Sequence, residues 1–388
     1  MSINIIPRQI NHIGLFLFGV VFYLISPLVI LQTDIFDGLP AIDGWKTNVL
    51  DNHHLILYIS LVLELVFFFC WGSHLATKYT NPHFSKKREL GKFSSKIIFI
   101  STALFVGYFI FSLRSIAFQG TAGLDLDAND NRQGILSTCG LLVFYLHFGV
   151  EQPKNTQRLF LFLFIITAVF LLGLGGRMYV IIPIVAYFMR AYNKAAEKGK
   201  SLIPYLVVPI VGALSASIIG AIRIGEKLDK IAYFIFAEPV FTSYSSFSYI
   251  NQNVIPLAKV PVNFLLSVFN FIPSLIWPQK AEVLGSLTGN WAKYDNPLGA
   301  LSVFVSIYGD FGIILGGLFI FFLGAFYGYL YKAVKTGNMN RNLYYCFCSV
   351  LPFCFFRDPI GIPMKIFVTS FGLIPFALQL FRQSMKKI

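Results

Sequence analysis

The chain consists of apolar runs that are long enough to cross a lipid bilayer and are separated by short basic loops. Hydrophobic residues make up 56% of the sequence, and Asp, Glu, Lys and Arg together make up only 13%. A soluble domain carries about 25% charged residues. Inside a bilayer, backbone groups are satisfied only in helices or closed barrels, and apolar runs of about twenty residues are typical of helices. The sequence therefore predicts an all-α, polytopic membrane protein.

Ten candidate spans can be counted in a single integral-membrane domain that covers residues 1–388. The prediction is a bundle of about ten, or as many as eleven to twelve, transmembrane helices. The sixth and ninth spans are short for a bilayer, which allows a kink or a merger. The ten spans are residues 13–31, 55–72, 97–117, 134–150, 159–175, 178–192, 202–222, 311–331, 342–356 and 362–381.

The positions of the basic residues predict the orientation. Most of the 31 Lys and Arg residues fall in alternate short loops, which places those loops and both termini in the cytoplasm. The loop at residues 223–310 then lies outside. The formal net charge of +13 is spread over these loops, so it indicates membrane topology and not binding to nucleic acid.

The loop at residues 223–310 is too apolar for a disordered linker and too polar to cross lipid as one piece. We interpret it as short amphipathic segments that lie on the membrane surface and cap a site between the helices. Within it, residues 233–250 and 262–277 are candidate re-entrant or interfacial helices.

Three arginines on the predicted outer side are candidate anion ligands: Arg177, Arg223 and Arg357. An arginine at membrane depth costs roughly 2.5–3.5 kcal/mol, so it is usually paired or functional. The guanidinium fork matches phosphate oxygens, and converging arginines would bind a pyrophosphate. The alternatives are an interfacial anchor for each arginine and, for Arg357, a simple pair with Asp358.

Two carboxylates are candidate general bases. Glu238 lies among apolar and aromatic residues, and partial desolvation would make its carboxylate a stronger base. The alternative is a helix cap or a salt bridge with Lys227 or Lys230. Asp310 is the second candidate, although it equally fits a cap for the span that follows it.

Aromatic residues of the same loop offer flat surfaces for sugar rings. An aromatic belt at the membrane interface is the alternative for each of them. The candidates are Tyr244, Trp277, Trp291 and Tyr294.

Neither a metal nor a nucleotide is expected as a cofactor. The long loop contains no histidine, and the five cysteines form no Cys-x-x-Cys pair, so buried free thiols are expected. The glycine-rich run at residues 173–176 lacks the Lys-Ser/Thr ending of a phosphate-binding loop and the strand–helix context in which such a loop occurs. Any substrate must therefore arrive already activated.

Several stretches in their order along the chain resemble the Wzy family of O-antigen or oligosaccharide repeat-unit polymerases. The resemblance covers roughly residues 160–360, and Gly175-Gly176-Arg177 replaces the family's usual small-Ser-Arg. The stretches are Gly-Leu-Gly-Gly-Arg177-Met-Tyr, residues 233–239, residues 271–280, Asn296-Pro297-Leu298-Gly299, residues 308–312 and the late Arg357.

The resemblance implies a multi-pass enzyme of the bacterial inner membrane with a GT-C-like helical bundle. Such enzymes transfer a growing glycan from undecaprenyl pyrophosphate to the terminal sugar of a new carrier-linked repeat unit, at the periplasmic face and without a cofactor. By position, Arg177, Arg223 and Arg357 would hold the pyrophosphate with help from Lys280, and Glu238 or Asp310 would act as base. The implied partners are the carrier-linked glycans, membrane lipid and a chain-length regulator.

Three other functions remain open at this point. An O-antigen ligase has a similar topology, but ligases use a histidine in the large outer loop. A lipid-linked oligosaccharide flippase needs cationic residues along a central cavity. A membrane acyltransferase with ten spans would keep catalytic His and Arg residues near the cytoplasmic side, where His74 and His83 lie in a lysine-rich segment.

Overall fold

The computed structural model describes residues 9–33, 50–82, 92–115, 131–174, 176–205, 207, 231–252, 254–269, 272, 277–279, 282 and 301–373. Over these ranges the chain is helical and has no β-strand. We number the described helices of functional interest in chain order. They are α1 (His12–Ile30, π-helical over Val20–Ile25), α2 (Asn52–Tyr79), α3 (Lys92–Leu113), α4 (Asn131–Phe148), α5 (Lys154–Gly173), α6 (Met178–Glu197), α7 (Ile231–Gln252), α8 (Val262–Val268), α9 (Val303–Lys335), α10 (Arg341–Cys348), α11 (Cys354–Arg357) and α12 (Gly361–Lys365, continued by π-helical Ile366–Leu373).

Five of these helices are long and apolar enough to cross a membrane: α1, α2, α3, α5 and α9. The prediction of an all-α, multi-pass membrane protein is therefore confirmed. The count of about ten spans stays a prediction. Most of the predicted span at residues 202–222 lies outside the described residues. The predicted span at 342–356 is not one helix, because it divides into α10 and α11.

Helices α2 and α9 form the closest helix pair in the described bundle. A Cβ atom on Gly72 would collide with the carbonyl oxygen of Phe321, and one on Gly324 would collide with that of Phe69. Small residues at such positions let two backbones approach until they touch, which is how helices associate in lipid. Gly72 and Gly324 are therefore packing positions of the α2–α9 pair.

A sharp break at Gly312 divides α9 near its start. Its backbone has φ 75° and ψ −176°, a conformation that is open essentially only to glycine. The break frees backbone groups from the helix, and the extended segment at residues 256–259 satisfies them. The bonds run from the Lys259 N–H to the Phe311 oxygen (2.9 Å), from the Ile313 N–H to the Pro256 oxygen (3.0 Å) and from the Ile314 N–H to the Leu257 oxygen (2.8 Å).

Helix α7 packs inside the bundle against α1. Whether this segment is re-entrant or interfacial, the two possibilities that the sequence offered, stays a prediction. It runs beside α1 in the same direction, because Phe236 packs against Phe22 while Tyr244 packs against Ile30. With 22 residues, α7 is roughly 33 Å long.

Three hydroxyl groups of α7 are buried and donate to carbonyl oxygens of their own helix. Thr242 donates to the Glu238 carbonyl at 2.8 Å, Ser243 donates to the Val240 carbonyl at 2.8 Å, and Ser245 donates to the Thr242 carbonyl at 2.7 Å. Such back-bonding removes the cost of burying a hydroxyl. The helix can therefore lie in an apolar environment although it carries many hydroxyl side chains.

Polar side chains join several helix ends on one side of the bundle. Asn193 of α6 accepts the N–H of Ile10 at 2.8 Å and donates back to the Ile10 carbonyl. Arg341 of α10 forms an ion pair with Glu197 of α6. The sequence placed all these residues on the cytoplasmic side, so the structure agrees with the alternation of the loops. Which side faces the cytoplasm still rests on the distribution of Lys and Arg.

Candidate active site

The central feature of the candidate site is an arginine held between two carboxylates. The Nε atom of Arg357 lies 2.7 Å from Oε1 of Glu238, and its Nη1 donates to Oδ1 of Asp358 at 3.3 Å. The Nε–H does not point along the line to Glu238, so this contact is an ion pair and not a hydrogen bond. The side chains of Arg357 and Glu238 are 37% and 44% exposed, which leaves the pair open to a ligand.

Three separate parts of the chain bring these groups together. Helix α7 supplies Glu238 from the turn before Pro239. Arg357 is the last residue of α11, where Asp358 takes an extended conformation because Pro359 disfavours a helical residue before it. From α1, the Tyr23 hydroxyl donates to Oε1 of Glu238 at 3.2 Å.

Aromatic packing fixes the position of α11. The ring of Phe356 stacks against Tyr23, with centroids 6.4 Å apart and planes 5° from parallel. It also occupies the space above Gly19, where a Cβ atom would collide with the ring. Because Phe356 precedes Arg357, this packing holds the guanidinium beside the second half of α1. The cluster therefore lies beside α1 and α7, and its position on the outer side of the membrane stays a prediction.

Burial and neighbouring charges act in opposite directions on the pKa values of Arg357 and Asp358. Burial disfavours the charge of Arg357, but Glu238 and then Asp358 outweigh it and keep the pKa of the guanidinium above its usual value. Burial raises the pKa of the Asp358 carboxyl, and Arg357 acts in the opposite direction. Asp358 is only 13% exposed, so of the two carboxylates Glu238 is the one that a ligand can reach.

Arg177 lies at the turn between α5 and α6, at the start of α6. Its side chain is exposed, and it has no ion pair with a residue that the structure describes. Tyr179, two residues later, lies close enough to Arg357 and Asp358 for their charges to act on its hydroxyl. No described contact joins Arg177 itself to the Glu238–Arg357 pair.

Asp310 has a structural role in α9. Its carboxylate is fully buried, and its two oxygens accept the backbone N–H groups of Asn263 at 3.2 Å and Phe264 at 2.7 Å. It therefore caps the first turn of α8. The cap foreseen in the sequence is real, but it serves α8 and not the span that contains Asp310. A role as base stays a prediction on which we rest no step.

The residues next to Asp310 form further hydrogen bonds that hold α9 near the break at Gly312. The Tyr308 hydroxyl donates to the Leu61 carbonyl at 2.8 Å, and the Gly309 carbonyl accepts Nζ of Lys259 at 2.9 Å. Gly312 provides the turn, and a Cβ atom there would lie 2.6 Å from the Pro256 oxygen. The Tyr308–Gly312 motif thus has a structural explanation that does not need catalysis.

The structure describes only some of the other predicted site residues. Tyr244 is 7% exposed and packs against Ile30 and Val240, so protein already covers its ring. Trp277 is partly buried, and no described contact joins it to the Glu238–Arg357 pair. Arg223, Lys280, Trp291 and Tyr294 lie outside the described residues, as do Lys227 and Lys230.

Sequence reasoning missed three ionisable or polar groups that the structure makes relevant. Tyr23 touches Glu238, but a lone tyrosine in an apolar run gives no sign of its partner. Lys365 was hidden in the predicted span 362–381, and Glu64 in the span 55–72. The signal that could have found the last two is a charged residue inside an apolar run, which is functional by default.

Within the described ranges, no group of three His, Cys, Asp or Glu side chains could hold a metal ion. All five cysteines are free thiols, four of them buried, as the sequence predicted. The groups of the cluster themselves can act by charge and by proton transfer. A guanidinium can stabilise an anion, and a reachable carboxylate can take a proton.

Comparison of the chain with family models, with curated proteins and with solved structures finds no significant match in any of the three. The resemblance to the Wzy family and the expected GT-C-like bundle therefore stay predictions.

Proposed function

We propose that this protein polymerises undecaprenyl-pyrophosphate-linked oligosaccharide repeat units at the periplasmic face of a bacterial inner membrane. The observation that carries the proposal is the 2.7 Å contact between Glu238 and Arg357. The resemblance selected these two residues from distant stretches as the base and a pyrophosphate ligand. The two residues have 118 positions between them along the chain, yet their side chains are in contact, as residues of one active site must be.

The ion pair suggests how the base is activated. In the substrate-free protein, Glu238 neutralises Arg357. A pyrophosphate oxygen that takes up the guanidinium would leave the Glu238 carboxylate without its cation. A carboxylate that loses a neighbouring positive charge becomes a stronger base. Binding of the donor thus prepares Glu238 for proton transfer.

The transfer step then balances as follows. The terminal hydroxyl oxygen of the acceptor glycan bonds to the anomeric carbon of the donor glycan, and its proton passes to Glu238. The bond between that carbon and the pyrophosphate oxygen breaks, and the electron pair leaves with undecaprenyl pyrophosphate. Arg357, with Arg177 and Arg223, stabilises the charge on this leaving group.

The first test replaces each member of the pair without changing its size greatly. Glu238→Gln and Arg357→Gln should each abolish the lipopolysaccharide ladder in cells and leave one repeat unit on the core, because flipping and ligation do not use this pair. Lys198→Met, an exposed position at the opposite end of the bundle, is the matched control and should leave the ladder intact. Membrane insertion is checked by immunoblot.

A normal ladder from inserted Glu238→Gln and Arg357→Gln proteins would refute the proposal. Naked core with polymer still on its carrier would indicate an O-antigen ligase instead.

A flippase for lipid-linked oligosaccharides is the second candidate, and two observations favour it. Arg357 lies inside the bundle, and α9 is a broken helix, a feature common in transporters. A flippase predicts a different phenotype for the Arg357→Gln protein. The core would be naked, and repeat units would accumulate on the cytoplasmic side.

A further inference from the structure

Lys365 is a cation in the interior that the site described above does not use. It is the last residue of α12, and its carbonyl accepts the Thr369 hydroxyl at 2.6 Å. Its side chain is partly buried and turns toward α4, where its Nζ lies 3.7 Å from the position of a Cβ atom on Gly134. Gly134 presents no side chain to the amine, and Lys365 stays partly exposed.

No acidic side chain among the described residues pairs with Lys365. Arg357, eight positions earlier, has two carboxylates around it. The nearby helix α8 packs against α12, but the acid at its first turn is Asp310, and both of its oxygens are already occupied by backbone N–H groups. An uncompensated ammonium in an apolar bundle is costly and calls for an anion.

The two cations also face different parts of the bundle. Arg357 faces α7 and α1 through Glu238 and Tyr23, whereas Lys365 faces α4. The segment between them contains Pro359 and Pro363, which restrict its backbone. Residues 357–365 therefore separate two basic side chains. Arg357 is neutralised by carboxylates, whereas Lys365 has no acidic partner among the described residues.

We propose that Lys365 binds the phosphate oxygens of a second polyprenyl-pyrophosphate carrier. This inference rests on the proposed function, because a polymerase joins two glycans and each is attached to its own pyrophosphate. Two such anions repel each other and cannot share Arg357. Lys365 binds one carrier on the α4 side, while Arg357 binds the other on the α7 side.

The test counts carriers on the purified full-length chain. The protein is reconstituted in phosphatidylcholine nanodiscs that contain undecaprenyl pyrophosphate, and bound lipid is measured by native mass spectrometry. The wild-type chain should hold two carriers. Lys365→Met should hold one and bind the second at least about tenfold more weakly, since a contact with a charged group is lost. Lys365→Arg should restore two, because it keeps the charge.

Lys198→Met again serves as the control, since it removes an exposed lysine at the other end of the bundle and should leave both carriers bound. Two carriers on the Lys365→Met protein with unchanged affinity would overturn the inference, as would a single carrier on the wild-type chain. Displacement of the second carrier by equimolar phosphatidylglycerol would assign the position to an ordinary phospholipid headgroup and also overturn it. If Lys365→Met fails to fold, the Lys365→Arg protein decides the matter, because its loss of the second carrier would contradict a charge-based site.

The binding experiment tests the Lys365 site, and the lipopolysaccharide ladder tests the polymerase, so each proposal can be refuted without the other. Two bound carriers together with a normal ladder from the Glu238→Gln protein would refute the polymerase and keep the Lys365 site. One carrier on the wild-type chain together with loss of the ladder would keep the polymerase and refute the site.

Discussion

At the scale of single residues, the same side-chain type serves different purposes in this protein, and the contacts distinguish them. Glu238 is half-exposed and touches a guanidinium and a phenol. Asp310 is fully buried and touches two backbone N–H groups. A carboxylate that a substrate can reach is suited to proton transfer, whereas one enclosed by backbone donors is suited to capping.

This difference gives a prediction for Asp310→Asn. The amide of the new side chain can accept only one of the two backbone N–H groups at the start of α8 and leaves the other facing an NH2 donor. We therefore expect the free energy of unfolding to fall by about 1–3 kcal/mol and the folded protein to make polymer of near-normal length. The measurements are thermal unfolding in detergent and the lipopolysaccharide ladder. A fully folded Asp310→Asn protein that makes no polymer would show that Asp310 is a base.

The sequence allowed Glu238 and Arg357 to be selected one at a time, because a charge beside apolar residues is conspicuous. It did not show that they form a pair, since their separation along the chain says nothing about their distance in space. Tyr23 could not be selected at all, because its hydroxyl acquires a role only when α7 lies against α1.

At the scale of secondary-structure elements, the break in α9 joins this helix to the segment at residues 256–259. It combines a positive φ angle at Gly312 with the close approach of the segment at residues 256–259. The sequence showed the glycine but not the break, because an apolar run with scattered glycines also fits an uninterrupted helix.

We predict that Gly312→Ala lowers the free energy of unfolding by about 2–4 kcal/mol, from the strained backbone and from the clash with the Pro256 oxygen 2.6 Å away. Gly337→Ala is the matched control, because Gly337 has nearly the same φ of 74° and nothing within 4 Å of an added Cβ. The control should cost only the strain, about 1 kcal/mol. Equal losses of thermal stability for the two variants would show that the close approach contributes nothing.

At the scale of the whole molecule, the basic loops predicted which helix ends lie on the same side, and the contacts among Ile10, Asn193, Glu197 and Arg341 agree. Charge counting works here because the inserted chain responds to Lys and Arg near each span and not to the final packing. The same rule gives no information on which helices become neighbours.

The absolute orientation is predicted to place Lys198 in the cytoplasm and Arg177 in the periplasm. In cells with a permeabilised outer membrane, an impermeant maleimide should label the Arg177→Cys protein and not the Lys198→Cys protein, which should react only after lysis. The native thiols give little background, because four of the five are buried. The reverse pattern of labelling would invert the topology and place the Glu238–Arg357 pair on the side of nucleotide-activated sugars.

The tight contact between α2 and α9 also has a consequence for biosynthesis. The two helices approach until their backbones touch at Gly72 and Gly324, yet more than two hundred residues separate them along the chain. The ribosome therefore releases α2 long before its partner exists, and α2 must wait in the lipid with this face uncovered. Its own hydropathy, 2.2 on average, is sufficient to keep it inserted during that interval. The bundle closes only when the last third of the chain has entered the membrane, so a shortened product would be inserted and yet remain open at its centre.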